Sequence, residues 1–159
     1  MQDYFNKGHT IYDRGVKNMT FNNVQNVIKK MGEKGCFYLC YLRIAERFLK
    51  KRLDVVEKAV ENIAAGNIFF DYNDINNPNQ FYVVDGAKLL KNLTGKNWKV
   101  TKETKDFKPK DEYFFKVYIC SGKNGAAFYH AEKDDFLPLV PSAKDQGFKV
   151  DSLRVCVLC

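Results

Sequence analysis

No apolar run in this 159-residue chain approaches the roughly 20 residues needed to cross a bilayer, which excludes a helical membrane span. The first residues, Met1-Gln2-Asp3-Tyr4-Phe5-Asn6-Lys7, lack the hydrophobic centre of an export signal, so a cytoplasmic location is the expectation. Nucleotide fingerprints are missing as well. There is no glycine-rich dinucleotide turn, and Thr94-Gly95-Lys96 lacks the preceding glycine and the spacing of a phosphate-binding loop. Histidine is scarce, with two residues, and His9 sits in a stretch without periodicity and receives no role. Cysteine occurs five times, an odd number in a chain with no export signal; this argues against a disulfide framework and for reduced thiols. Neither an internal repeat nor a linker composition interrupts the chain, which is of single-domain size.

Apolar residues form 45% and aromatics 14% of the chain, enough to build a buried core. Lysine and arginine number 26 against 19 aspartates and glutamates, a net charge of +7 that favours polyanionic partners. The basic residues are dispersed, however. Arg47, Lys50, Lys51 and Arg52 form one cluster, and between Lys102 and Lys110 the lysines interleave with Glu103 and Asp106, as on a solvated face.

Residues 1–19 read as an irregular arm, and residues 20–159 as one domain. Phe21, Val24, Val27, Ile28 and Met31 recur at helical spacing behind Thr20, a candidate N-cap, and Gly32 and Gly35 are expected to turn the chain. A strongly apolar helix is predicted from Cys36 to Lys50, with nothing polar before Arg43. A third helix is predicted over Asp54–Ala65, stopping at Gly66, and a short one behind Asp85 through Leu89, Leu90 and Leu93 to Thr94-Gly95. Asp71 to Asn79 has the composition of a loop. Strand patterns follow at 97–101, 113–120, 126–132, 136–140 and 152–158, the second and third joined as a hairpin. Helices lead and strands follow, which argues an α+β fold.

Two residues carry the pattern with specific chemistry. Cys36, in Glu33-Lys34-Gly35-Cys36-Phe37-Tyr38-Leu39-Cys40, falls where a buried helix begins, a position that favours thiolate. His130, in Ala126-Ala127-Phe128-Tyr129-His130-Ala131-Glu132, falls on a strand and offers an imidazole as general acid and base. The Gly35-Cys36 helix start, the strand around His130 and their order are similar to the papain-like cysteine peptidase superfamily, in particular its compact bacterial and phage members, including the double-glycine-cleaving branch. The resemblance implies a papain-like fold, a central helix opened by the cysteine and packed on a C-terminal antiparallel sheet. It implies a hydrolase acting on a peptide or amide bond, with Cys36 as nucleophile, His130 as acid and base, and the Cys36 backbone N–H as an oxyanion donor. It also implies a third residue orienting the imidazole, for which Asp135 is the candidate. No cofactor or metal is implied. The family's oxyanion glutamine has no counterpart at its usual distance, where Lys29, Lys30 and Met31 stand, and Gln25 is too far upstream.

Other readings stay open. A papain-like domain without activity would bind a ligand or partner protein. A basic nucleic-acid module would use Trp98, Tyr113, Tyr118 and Tyr129 as stacking platforms. Cys36 and Cys40 with Cys156 and Cys159 number four thiols, yet strand alternation puts the last two on opposite faces, against a zinc site. Cys156-Val157-Leu158-Cys159 matches a prenylation box in form, but Leu153, Val155 and Val157 alternate as in a packed strand.

Overall fold

The computed structural model describes residues 20–110, 113–121, 127–132 and 149–159, the backbone alone for 127–132. The 1–19 arm, the strand expected at 136–140 and Asp135 lie outside the described residues.

Among the described residues four helices come first: α1 (Phe21–Lys34), α2 (Cys36–Leu49), α3 (Val55–Ala64) and α4 (Gly86–Thr94). Four strands follow, β1 (Trp98–Thr104), β2 (Phe114–Ser121), β3 (Ala127–Glu132) and β4 (Lys149–Leu158), and the fold is α+β. Three of these helices, α1, α3 and α4, start at a side-chain cap, whereas α2 starts at Gly35 without one. Thr20 Oγ1 accepts from Asn23 N at 3.1 Å, and Asp54 Oδ1 accepts from the N–H groups of Val56 and Glu57. Asp85 Oδ1 accepts from Lys88 N at 3.0 Å. Gly95 ends α4 at φ 74°, a left-handed position where glycine carries no Cβ penalty.

One expectation is corrected here. Gly32 does not turn the chain; α1 runs through it, and a Cβ there would meet open space. Only Gly35 separates α1 from α2, and its φ of −83° is open to any residue. Space is what demands glycine: a Cβ at 35 would stand 2.5 Å from the Met31 carbonyl oxygen. That carbonyl accepts from Gly35 N at 2.9 Å, so the two helices meet in a tight corner.

The sheet order is β1-β4-β2-β3, with every pair antiparallel, so β4 lies between β1 and β2. Cross-strand rows follow from the register. Val100–Cys156–Phe115 and Lys102–Arg154–Val117 form two of them, and Phe115, Val117 and Cys156 belong to the core built on the helices. Glu103–Leu153–Tyr118–His130 is a row of the alternate set. Between Ile119 and Cys120 the β4 register slips by one residue, a bulge that leaves Asp151 unpaired.

Tyr38, Tyr41, Ile44, Val56, Leu89 and Leu90 fill the centre of the core. Trp98 closes one end, edge-on to Phe48 at 5.2 Å, with its Nε1 donating to Thr94 Oγ1 at 2.9 Å. Buried Asn62 ties α3 to its surroundings: its Nδ2 donates to Lys58 O and Asn92 Oδ1, and its Oδ1 accepts from Asn67 Nδ2.

Candidate functional site

Two features draw attention, a group of thiols at the start of α2 and a cavity on the neighbouring face of that helix. Cys36 opens α2, half-buried, and Cys40 follows one turn later, fully buried. A hydrogen bond with Cys36, then burial, holds the Cys40 thiol well above the usual range, with Cys120 nearby adding to the effect and Arg43 opposing it. Burial pushes the Cys120 thiol up to about 12, assisted by Asp151 and by Cys36. Three thiols therefore gather where α2 begins. Of these, Cys36 is the one with access to solvent. Among the described residues no three His, Cys, Asp or Glu side chains take a metal-binding arrangement.

Helix α2 packs along β3, the strand that carries His130. Its other end, at Phe48, meets Trp98 and Tyr113 beside the start of β2, so α2 runs antiparallel to β2. Cys120 stands opposite Phe128 in the register and Tyr118 opposite His130, so the backbone of His130 lies two residues along β3 from the partner of Cys120. The lysines at the family's oxyanion position are otherwise engaged in one case: Lys30, nearly buried, pairs with Glu33 Oε2 at 2.9 Å. That hydrogen bond is the main cause holding the Glu33 carboxyl below its ordinary value, against slight desolvation and with Lys29 and Lys34 helping.

The cavity occupies about 700 Å³. One wall is the α2 face of Phe37 and Tyr41, and its floor is formed by Val100, Lys102, Ile119, Ser152 and Arg154 of the sheet. The segment from Pro78 to Ala87 closes it. That segment is fixed from within by Gln80, whose Oε1 accepts from Asp71 N at 2.8 Å while its Nε2 donates to the carbonyls of Asp71 and Asp74 at 2.9 Å each. Lys34 Nζ donates to Pro78 O at 3.2 Å and ties the segment to the end of α1. Gly86 lets α4 touch Tyr41: a Cβ there would stand 2.5 Å from the Tyr41 hydroxyl. Burial chiefly, with Cys156, Cys40 and Asp85 adding and Arg154 opposing, raises the Tyr41 phenol far above its ordinary value.

Sequence reasoning did not find this cavity. Its residues come from five separated segments, and the sole local signal was Arg154, a charge inside the otherwise apolar run Leu153-Arg154-Val155-Cys156-Val157. Trp98, offered as a stacking platform, is core, and Tyr113 packs against Phe48 and Phe115. Cys156 is fully buried on the inner strand β4, a burial that a prenylated cysteine would not tolerate. No family model, no curated protein and no solved structure matches this chain.

Proposed function

We propose that this domain is a thiol hydrolase acting on a peptide or amide bond, with Cys36 as nucleophile and His130 as general acid and base. One observation carries the reading: the helix opened by Cys36 packs along β3, the strand that holds His130. The cysteine attacks the carbonyl carbon as thiolate, and the imidazolium gives its proton to the leaving amine. Water, deprotonated by the same imidazole, then releases the acyl group and restores the thiol. Cys40 is held protonated by its hydrogen bond with Cys36 and then by burial, Cys120 chiefly by burial, and both serve as packing neighbours. A papain-like arrangement and the orienting role of Asp135 belong to the same proposal.

The test is the pH dependence of alkylation, with the modified site assigned by mass spectrometry, in wild type and His130→Ala. The expected result is labelling of Cys36 with an apparent pKa below the free-thiol value of about 8.5, alongside labelling of the exposed Cys159. Replacing His130 returns that value to the free range, while native Cys40, Cys120 and Cys156 stay unlabelled at neutral pH. A Cys36 that reacts slowly and ignores the loss of His130 would make it a packing residue and the domain a binding module.

A further inference from the structure

The cavity beside α2 holds positive charge that the described residues leave without a counter-ion. Arg154 is half-buried on the inner strand β4, and its contact is a long hydrogen bond from Nη1 to its neighbour's carbonyl, Leu153 O, at 3.4 Å. Lys102 stands directly opposite Arg154 in the β1–β4 register. Like charges facing each other across a ladder destabilise the sheet, so this pairing carries a cost that a bound anion would remove. The ion pairs among the described residues, Lys30–Glu33 and Lys58–Glu61, involve neither cation. Asp85 is the carboxylate in the described lining, and it is engaged as the cap of α4. Around these charges the lining mixes polar groups such as Asn79 and Ser152 with apolar and aromatic ones, Phe37, Tyr41 and Val83 inside and Tyr82 and Val84 on the rim, the last two 62% and 55% exposed. A volume of about 700 Å³ with apolar surface beside convergent polar and cationic groups is of the size and kind that takes a small amphiphilic ligand.

We propose that this cavity binds a small organic anion, its carboxylate or phosphate held by Arg154 and Lys102 and its apolar part lying against Phe37, Tyr41 and Val83. A planar guanidinium takes either oxyanion in two parallel hydrogen bonds, and the lysine adds a point charge at the mouth. Cys36 does not line the cavity, so the site stands independently of the hydrolase reading. A Cys36→Ala variant is expected to bind as the wild type does.

Binding is measured by titrating isotope-labelled protein with phenyl phosphate, with 3-phenylpropionate and with inorganic phosphate, following amide shifts. The expected result is saturable binding of at least one aromatic anion, with shifts centred on Tyr41, Ile119 and Ser152. Affinity falls at least tenfold in Arg154→Gln and several-fold in Lys102→Gln, and is unchanged in Lys99→Gln, an exposed lysine of the alternate row. Lys102 is itself exposed, so its variant keeps the fold and reports on binding even where Arg154→Gln lowers stability. Preference for one aromatic anion over the other identifies phosphate or carboxylate as the recognised group. Failure of both aromatic anions to saturate, inorganic phosphate binding as tightly as phenyl phosphate, or an equal loss in Lys99→Gln would each overturn the proposal.

Discussion

Gln80→Glu changes one atom type and leaves the side-chain shape intact, yet the structure places a large penalty on it. Gln80 is 3% exposed and uses its whole amide: one oxygen accepts from Asp71 N, and one nitrogen donates to two carbonyls. A carboxylate keeps the acceptor but turns its second oxygen toward the Asp71 and Asp74 carbonyls; Asp74 O keeps the Asn77 N–H as a donor, so the loss falls on Asp71 O. An orphaned buried polar group costs about 1–3 kcal/mol, so the Asp71 carbonyl and the carboxylate oxygen facing it together place the loss at about 2–6 kcal/mol at neutral pH. Protonation turns that oxygen into a donor for Asp71 O, and what remains is the lost bond to Asp74 O, about 0.5–1.5 kcal/mol. The folded state therefore favours the protonated form, and the new carboxyl titrates above its unfolded value of about 4.3. The variant is then closest to wild type below that value and loses ground as pH rises through the folded pKa. Glutamine does not titrate, so the pH dependence of the difference between the two proteins belongs to residue 80. Urea unfolding at pH 4.0 and pH 7.5, followed by the fluorescence of the single tryptophan Trp98, measures it. A difference below about 1 kcal/mol, or one that does not change with pH, would show that the 71–80 segment is not held by this amide.

A second pair of variants separates steric demand from helix propensity. Gly35→Ala drives a Cβ into the Met31 backbone and is expected to cost about 1–3 kcal/mol and to slow Cys36 alkylation. Gly32→Ala meets open space within α1 and is expected to gain up to about 1 kcal/mol; thermal unfolding of both decides, and equal effects would remove the corner argument. Tyr72 buries a hydroxyl that has no hydrogen-bond partner among the described residues, and burial pushes its pKa up to about 12. Tyr72→Phe is expected to be neutral or stabilising by up to about 1 kcal/mol, and a loss of stability in denaturant unfolding would mean that the hydroxyl is bonded in solution.

Local chemistry was the legible part of this fold. Thr20, Asp85 and Gly95 act where their side chains, or the lack of one, act in any helix, and the loop from Asp71 to Asn79 announced itself by composition. Gly32 was misread because an isolated glycine in a helical pattern signals a turn only when tertiary space requires one, and that space is visible at Gly35 alone. The sheet order was not legible: alternation identifies a strand but not its neighbours, and the insertion of β4 between β1 and β2 depends on pairings some fifty residues apart in sequence. For the same reason Cys36 was found by its position at a helix start, whereas the Lys102–Arg154 pair exists only once the register is known.

The inner position of β4 has a consequence for biosynthesis. When β1 leaves the ribosome β4, its hydrogen-bonding neighbour among the described residues, has not been translated, and that pairing must wait until residues 149–158 follow. At about 5–20 residues per second that interval spans a few seconds, during which the ladder edges of β1 and β2 that β4 later covers stand open to any other extended chain. The helical half can collapse on itself in the meantime, but the strands become a sheet only when the last of them slides between the first two.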